Sequence, residues 1–392
     1  MQQRATIVSR GMFVLSTLVV LAGLSAGRAN AASVFVWVAS GSKIVGYTQG
    51  TNGTGNTATV AVTLNAPTGG DYFSVATAGT SGTSENLYVA DSGNHQLSEW
   101  SWNGTSLTQV GSNVNFAADT AGGSISPQEI AIDGSGNLWT TSVDGQIVKY
   151  SSSVGSPSTV YAAGADSGAL AGARGIMISG TTAYVTVEGA YGSGSVYDFS
   201  TTSPGTPALY ASVSGTVGGQ EKGQMRGAAV DQAGNIYYAD STWGASGTNQ
   251  GYICKSATCT TAFTTGLNGP NELQTGLGTF AASGTTYNCD VLYETNYYGG
   301  SIEEIATGYD TGGVSHSHCG NASEGTSLGN FLTGLTTPSG IALSPGEFAL
   351  GGDTVPVGPS FFTPEPGTFA LMIGALLLAL GIGIRAQRRQ LQ

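Results

Sequence analysis

The sequence predicts an all-β fold, a six-bladed β-propeller closed by pairing N- and C-terminal strands. A phrase of two short strands around a polar turn recurs along the chain. Its period is roughly 45–55 residues, at the upper end of propeller blade lengths. Two unpaired half-copies, one at each end of the repeats, complete each other only if the chain closes into a ring. Residues 33–347 are therefore assigned to one propeller domain.

The clearest copy of the phrase is Met225–Ser241. Its first strand alternates larger and smaller apolar residues, and residues 231–235 supply the turn. Asp231 can accept hydrogen bonds from nearby backbone, and Gly234 can take a positive φ without a Cβ clash. A single hairpin is marginal in water, so the fold depends on the recurrence. The other copies are Tyr72–Thr77 with Glu85–Asp91, Pro127–Thr141, Ala173–Thr186 and Pro270–Glu294.

The two half-copies define the closure of the ring. Pro338–Ser344 is a first strand with no return strand after it, and Ser33–Ser40 is a return strand with no first strand before it. Ile341–Leu343 is therefore expected as the innermost strand beside Val34–Val38. This closure leaves no open edge in the ring and brings the number of blades to six.

One copy carries a family resemblance. Glu85-Asn-Leu-Tyr-Val-Ala-Asp91, followed by Ser92-Gly-Asn-His-Gln-Leu97, resembles the NHL-repeat β-propellers. The resemblance extends from Ser33 to about Glu347 and implies the architecture. It implies no particular chemistry, because this fold carries unrelated functions.

The N-terminal segment at 1–31 is predicted to be a secretory signal peptide. It has a basic start, an apolar run from Met12 to Leu24 and an Ala29-Asn-Ala31 cleavage site. A retained membrane anchor is the alternative. A run of about 13 apolar residues is short for a bilayer, which favours cleavage.

The C-terminal segment at 364–389, after a linker at 348–363, is predicted to be a sorting signal. An uncharged run ending at Ile384 is just long enough to span a bilayer, and the arginines after it should stay cytoplasmic. The order of motif, helix and arginines resembles the PEP-CTERM signal, which implies export by a Gram-negative bacterium and processing by an exosortase near Pro366. A plain single-pass anchor is the alternative. The matching positions are Pro364, Glu365, Pro366, Arg385, Arg388 and Arg389.

Charge and composition exclude one class of partner. Between residues 33 and 363 there are 6 basic and 23 acidic residues, a net charge of −17. Such a domain is repelled by phosphate backbones, so no nucleic-acid partner is expected. The 62 glycines and the low charged fraction of 9% fit strands joined by small polar turns, because a hydrophobic phase returns in every repeat.

The four cysteines agree with export to an oxidising compartment. Cys254 and Cys259 flank a hairpin turn, while Cys289 and Cys319 belong to the last full blade. We expect Cys254–Cys259 and Cys289–Cys319 disulfides. A zinc site would need tighter pairs with histidine support, and His316 and His318 are the candidates near Cys319.

Few residues suggest catalysis. No nucleophile elbow, phosphate loop or dinucleotide fingerprint is present in a usable context. His95 is predicted to pack between strands, and the alternating Trp100 and Trp102 are predicted to lie in the core, with a sugar-stacking surface as the alternative. The aromatic residues of loop-like stretches are more open to a binding role: Trp243, Tyr297 and Tyr298.

The residue that enters each first strand should line one mouth of the central channel. These six ring positions are Phe73, Gln128, Arg174, Arg226, Asn271 and Ser339. Glu129 and Glu272 flank the same ring and offer carboxylates to the two arginines. Two outcomes are open: the Arg–Glu pairs plug the channel, or one arginine is left partly unpaired and accepts an anionic ligand such as a uronic acid.

The sequence favours a non-enzymatic binding or scaffold module at the cell surface or in the extracellular matrix, with a polysaccharide or a protein as ligand. The alternative is a propeller hydrolase or lyase acting in the central channel. Gly269-Pro-Asn271 resembles a metal-ligand phrase of calcium-dependent propeller lactonases, but Arg174 and Arg226 stand where that family needs oxygen ligands. No cofactor is therefore expected, with calcium implied only under the alternative.

Overall fold

The structure is a computed structural model, and it describes seventeen stretches of the chain. They are residues 36–48, 59–81, 84–116, 126–151, 154, 157–162, 168–189, 193–214, 216–217, 220–221, 223–231, 233–241, 251–255, 259, 262–282, 285–310 and 324–344. The predicted signal peptide, linker and sorting signal lie outside these residues. No helix of the described stretches is long and apolar enough to cross a membrane.

Six antiparallel sheets of four strands form the blades, numbered here from the N-terminus and given from the innermost strand outward. Blade 1 is Pro338–Leu343, Val36–Ser40, Lys43–Thr48 and Thr59–Asn65, and blade 2 is Tyr72–Ser81, Ser84–Asp91, Gln96–Trp102 and Leu107–Asn115. Blade 3 is Pro127–Ile132, Leu138–Ser142, Ile147–Tyr150 and Pro157–Tyr161, and blade 4 is Ala173–Ser179, Thr182–Val187, Ser193–Ser200 and Ala208–Ser214.

The remaining strands complete the ring. Blade 5 is Met225–Val230, Ile236–Asp240, Gly251–Lys255 and Thr264–Leu267, and blade 6 is Pro270–Ala282, Thr285–Asn296, Ser301–Asp310 and Ser327–Thr333. A small ribbon of Thr216–Val217 and Gln220–Glu221 precedes blade 5. The innermost strand of each blade contacts those of both neighbours, so the ring closes.

The predicted closure is confirmed in blade 1. Val36 pairs with Leu343 and Val38 with Ile341, in antiparallel register. The buried carboxylate of Glu85 in blade 2 also contacts both halves of this blade. It accepts hydrogen bonds from Trp37 Nε1 at 2.7 Å and from the hydroxyl of Ser344 at 3.0 Å.

The polar turns of the repeat fix the aromatic residues that follow them. The carboxylate of Asp231 accepts hydrogen bonds from the backbone and the side chain of Asn235, both at 2.7 Å, and from the Tyr237 hydroxyl at 2.8 Å. Asp133 in blade 3 accepts the equivalent bond from Trp139 Nε1 at 3.0 Å. Both aromatic rings are fully buried between blades. One turn residue therefore both shapes the hairpin and orients a core side chain.

Each innermost strand carries a β-bulge near its start. In all six blades, one extra residue interrupts the register with the second strand. Bulges re-aim side chains, and these place one residue of every blade toward the mouth of the channel. The bulges contain Phe73, residues 128–129, 174–175, 226–227 and 271–272, and Ser339.

Cysteine pairing is confirmed for one of the two predicted disulfides. Cys254 and Cys259 are bonded, with 5.4 Å between their Cα atoms. Cys289 is buried, but Cys319 lies outside the described residues, as do His316 and His318. The Cys289–Cys319 bond therefore stays a prediction.

Candidate binding site at the ring mouth

A pocket of about 190 Å³ opens at the mouth of the ring, where the bulges lie. We call it the ring-mouth pocket. It draws its lining from blades 2, 4, 5 and 6 and combines guanidinium groups, aromatic rings and small polar groups. The lining residues are Phe73, Arg174, Arg226, Ser241, Gly269, Asn271, Tyr297 and Tyr298.

Four of the six predicted ring positions line this pocket, and the other two support them. Gln128 accepts a hydrogen bond from Arg174 Nη1 through its Oε1 at 3.0 Å. The backbone carbonyl of Ser339 accepts a hydrogen bond from Asn271 Nδ2 at 2.5 Å. Four of the six equivalent positions thus contribute side chains to one pocket.

The two arginines share one carboxylate, that of Glu188. Arg174 reaches Glu188 Oε2 from Nε and from Nη2, each at 2.5 Å. Arg226 reaches the same oxygen from Nη1 at 2.9 Å and Oε1 from Nη2 at 3.4 Å. Arg226 Nε also donates to the hydroxyl of Ser241 at 3.0 Å. A single negative charge thus bridges two positive ones.

Sequence reasoning named the wrong carboxylates. Glu129 and Glu272 were expected to pair with the arginines, and Glu188 holds that position instead. Both expected residues are buried in the bulges, each 4% exposed. Their backbone N–H groups donate to Thr141 and Thr295 hydroxyls at 3.4 and 2.8 Å. Neither residue is among those that line the pocket, and Glu129 Oε2 lies against Gly175 in the bulge of the next blade.

Glu188 is held in place by backbone on both sides. Its own N–H donates to the carbonyl of Gly172 at 2.8 Å, and the N–H of Gly189 donates to the carbonyl of Gly223 at 3.0 Å. The side chains of Arg174, Arg226 and Glu188 are 23%, 19% and 20% exposed. Burial lowers the pKa of Arg226, and Arg174 lowers it further, while Glu188 acts in the opposite direction. Arginine side chains are effectively always protonated in proteins.

Threonine hydroxyls join the bulges of neighbouring blades. Thr141 of blade 3 donates to the carbonyl of Arg174 in blade 4 at 2.7 Å. Thr186 of blade 4 donates to the carbonyl of Arg226 in blade 5 and accepts from the N–H of Gly175 at 2.8 Å. The backbone that carries both arginines is therefore fixed by the blade before it.

A second set of residues completes the site, and of these the sequence pointed to Tyr297 but not to Glu188 or Ser241. It consists of the first residue after each second strand, and Glu188, Ser241 and Tyr297 all occupy this position. The register of the repeats carries this signal, since each such residue follows the partner of the first residue of its innermost strand. Aligning the strand ends would place Glu188 and Ser241 level with Tyr297, but no shared residue type marks this position.

Aromatic side chains form one wall of the pocket. Tyr297 and Tyr298 lie on the turn after the second strand of blade 6, with ring centroids 5.0 Å apart in an edge-to-face arrangement. Gly269 has a φ of +77°, and a Cβ there would collide with the Tyr298 ring. Tyr298 is 43% exposed. Burial raises the pKa of Tyr298, with a further rise from Tyr297 and an opposing effect of Arg226.

The other aromatic and histidine candidates lie away from this pocket. Trp102 is buried and packs edge-to-face on Trp37 at 5.8 Å, and Trp100 packs against the same core, which confirms the core prediction. His95 takes a φ of +56° in a turn of blade 2, and its Nδ1 lies 3.0 Å from the Ser126 hydroxyl. Trp243 lies outside the described residues.

The residues at the ring mouth do not suit a divalent cation. Two of its six ring positions are guanidinium groups, whose positive charge opposes a cation. In the described part of the chain, no group of three or more His, Cys, Asp or Glu side chains is arranged to hold a metal ion. Calcium prefers six to eight oxygen ligands, which this arrangement does not offer.

Comparison with known proteins gives similar structures but no family. No family model matches the chain, and no curated protein matches it. A luciferin-regenerating enzyme is similar at 14% sequence identity, over 65% of this chain and 76% of that one, with a TM-score of 0.39. The periplasmic gluconolactonase PpgL of Pseudomonas aeruginosa is similar at 12% identity, over 81% of this chain and 99% of that one, with a TM-score of 0.48. The sheet order of this chain itself defines the six-bladed propeller.

Proposed function

We propose that this protein is an exported, non-enzymatic binding module that takes a polysaccharide or a protein ligand in the ring-mouth pocket. The observation that carries the proposal is the pairing of partly exposed guanidinium groups with an exposed tyrosine wall in one open pocket. Arginine and tyrosine are the residues most enriched at binding hot spots. Pockets that combine aromatic surface with a few convergent polar groups are the usual small-ligand sites.

Hydrogen-bonding capacity in the pocket supports binding. A guanidinium carries five N–H groups, one on Nε and two on each terminal nitrogen. Each nitrogen of Arg174 and Arg226 makes a contact with Glu188, Gln128 or Ser241. One further N–H on each of the four terminal nitrogens is left for a ligand. The internal contacts orient the guanidinium groups in advance, which lowers the entropic cost of binding.

A propeller hydrolase or lyase is the competing function. If it depended on calcium, the cation would have to lie against two positive groups, and the repulsion between like charges opposes that arrangement. The test is direct. Lactone hydrolysis by the purified protein, measured with and without added calcium, should stay at the uncatalysed rate. Turnover that disappears in an Arg226→Gln variant would replace the binding proposal with an enzymatic one.

The proposal includes the cellular location of the protein. The predicted signal peptide and the tail at 364–389 support export, transient membrane attachment and processing by an exosortase, followed by residence at the cell surface or in the extracellular matrix. Mass spectrometry of surface material from the native host tests this. The expected result is loss of the residues after about Pro366. Intact peptides spanning 369–385 as the dominant form would leave only a membrane anchor.

Binding is tested with the purified protein on a glycan array, together with Arg226→Gln and Tyr298→Ala. We expect a ligand whose binding both substitutions weaken while the melting temperature of Tyr298→Ala stays within a few degrees of the wild type. Ligands that bind all three proteins equally would place recognition elsewhere and overturn the assignment of the pocket. A matched control is Lys255→Gln, because Lys255 pairs with Glu324 and lies over the Tyr309 ring, and none of these residues lines the pocket.

A further inference from the structure

We propose that the ligand of the ring-mouth pocket is a glycan that carries a carboxylate, a hexuronate unit of an acidic polysaccharide. The carboxylate lies on the unused N–H groups of Arg174 and Arg226, and the sugar ring lies against Tyr298. This inference rests on the proposed binding function and adds the chemical class of the ligand.

The charge of the pocket selects an anion. Arg174 and Arg226 are the charged side chains among its lining residues, in a domain whose net charge is −17 between residues 33 and 363. The other described ion pairs match one cation with one carboxylate, as in Lys149–Asp133 and Lys255–Glu324. At the ring mouth, two cations share Glu188 alone. Within these ion pairs, two positive charges therefore meet one negative charge.

That imbalance fits a group with a single negative charge. A carboxylate would bring two guanidinium groups and Glu188 to exact neutrality, whereas a phosphate monoester would overshoot it and meet Glu188 with extra repulsion. The planar fork of a guanidinium also matches a carboxylate in two parallel hydrogen bonds. Glu188 already demonstrates this match on the protein side, since both of its oxygens accept bonds from Arg226.

The rest of the pocket fits a sugar ring. Tyr298 presents an exposed face, and Phe73 stands among the lining residues from a different blade. Pyranose C–H groups pack on aromatic faces, while Ser241 and Asn271 add short polar groups that can meet ring hydroxyls. A volume of about 190 Å³ limits the site to roughly one sugar unit. The opening to solvent lets the neighbouring units of a chain extend outward.

The experiment is calorimetric titration of the full protein with oligogalacturonate, oligoglucuronate and oligomannuronate. Fully methyl-esterified oligogalacturonate, which has the same shape without the charge, is the matched control ligand. At least one acid form should bind, at least tenfold more tightly than the esterified oligomer, with affinity falling as salt rises. Arg226→Lys keeps the charge without the fork and should weaken binding about tenfold, as should Tyr298→Ala. Lys255→Gln should bind like the wild type.

The possible outcomes distinguish a failure of the carboxylate assignment from a failure of the proposed binding function. If the esterified oligomer binds as tightly as the acid, or if only neutral glycans bind and remain sensitive to Tyr298→Ala, the carboxylate assignment is wrong and the binding function stands. If a sulfated or phosphorylated glycan binds and none of the three uronates does, the assignment is also wrong. If every glycan that binds ignores all pocket substitutions, both proposals fall. A melting temperature measured for each variant separates lost binding from lost folding.

Discussion

The ring mouth and the interior of blade 6 handle buried charge in opposite ways. At the mouth, Arg174 and Arg226 are both ion-paired with Glu188, and about a fifth of each side chain remains exposed. In blade 6, Glu294 is completely buried, and neither of its carboxylate oxygens has a hydrogen-bond partner. Burial and the neighbouring Glu303 raise the pKa of Glu294 well above its usual range. Cationic partners and contact with solvent favour the ionised form of a carboxyl group, whereas burial without partners favours its protonated form.

The surroundings of Glu294 explain its state. It lies opposite Leu273 on one side and Glu303 on the other, so no cation is supplied across either strand pair. Glu304 follows Glu303 on the neighbouring strand Ser301–Asp310, where burial raises its pKa to about 7 and a hydrogen bond from Tyr293 works against that rise. Blade 6 therefore holds carboxyl groups whose pKa is raised by burial, while the carboxylate at the ring mouth is paired with two guanidinium groups.

The largest effect should come from breaking the shared carboxylate. Glu188→Gln leaves two partly buried guanidinium groups without a counter-charge, and we expect a loss of about 2–4 kcal/mol in the free energy of unfolding, measured with urea. Glu324→Gln removes the carboxylate of the exposed Lys255 pair and should cost less than about 1 kcal/mol. Equal losses of unfolding free energy in the two variants would show that the Glu188 ion pairs stabilise the fold no more than the Lys255–Glu324 pair does.

The next effect is a pH dependence in blade 6. The folded-state pKa of Glu294 is raised, so its contribution to stability is complete below the unfolded pKa, near 4.5, and is lost as pH rises toward the folded value. Inside that window, each pH unit costs about 1.4 kcal/mol. Glu294→Gln should remove the part of the slope that Glu294 contributes, leave the part that Glu304 contributes, and gain on the wild type as pH rises. Urea unfolding from pH 5 to pH 8 measures it.

Glu303→Gln provides the matched comparison for that experiment. It removes the nearby charge that adds to the raised pKa of Glu294, so the window should begin at the same pH and end at a lower one. A wild-type slope identical to that of Glu294→Gln would mean that Glu294 titrates normally, and the contrast between the two regions would disappear.

A smaller effect tests how tightly the bulges are packed. A Cβ at Gly175 would lie 2.5 Å from the carbonyl oxygen of Arg226 and 2.6 Å from the Thr186 hydroxyl. Gly175→Ala should therefore cost about 1–2 kcal/mol in thermal or urea unfolding. Gly134 has nothing within 4 Å of an added Cβ and an ordinary φ, so Gly134→Ala should be neutral or slightly stabilising. If Gly175→Ala leaves the free energy of unfolding unchanged, the backbone at the ring mouth can shift to make room for the added Cβ.

The smallest effect on stability should come from Tyr298. Its ring is 43% exposed, so Tyr298→Ala should change the free energy of unfolding by less than about 1 kcal/mol while weakening ligand binding. The fully buried Tyr237 is the comparison, and Tyr237→Ala should cost about 3–5 kcal/mol. A large loss in Tyr298→Ala would mean that its ring supports the fold rather than a ligand.

The architecture was predictable because the repeat encodes it. The phrase around Asp231 recurs with its turn intact, and the two half-copies allow only one closure, which the pairing of Val36 with Leu343 confirms. The ring positions followed from the same alignment, since equivalent residues of a closed repeat must converge. Arg174 and Arg226 were found in this way.

The partners of those residues were not predictable by the same route. Glu188 follows its strand in a segment whose counterparts include Ser241 and Tyr297, so no shared residue type marks the position. The buried, unpaired state of Glu294 could not be predicted for a related reason. Its counterparts in blades 3, 4 and 5 are Thr140, Val185 and Tyr238, and nothing in the sequence shows which member of such a set is an acid left without a partner.

Blade 1 pairs two strands that are synthesised at very different times. Val36–Ser40 is made early, yet its inner neighbour, Pro338–Leu343, is made roughly 300 residues later. At about 5–20 residues per second, that strand waits on the order of 15–60 s with one edge unpaired. The waiting strand is Val-Trp-Val-Ala-Ser, apolar, uncharged and without proline, a composition prone to pairing with other chains. Until Pro338–Leu343 is made, the inner edge of Val36–Ser40 is therefore open to pairing with other chains.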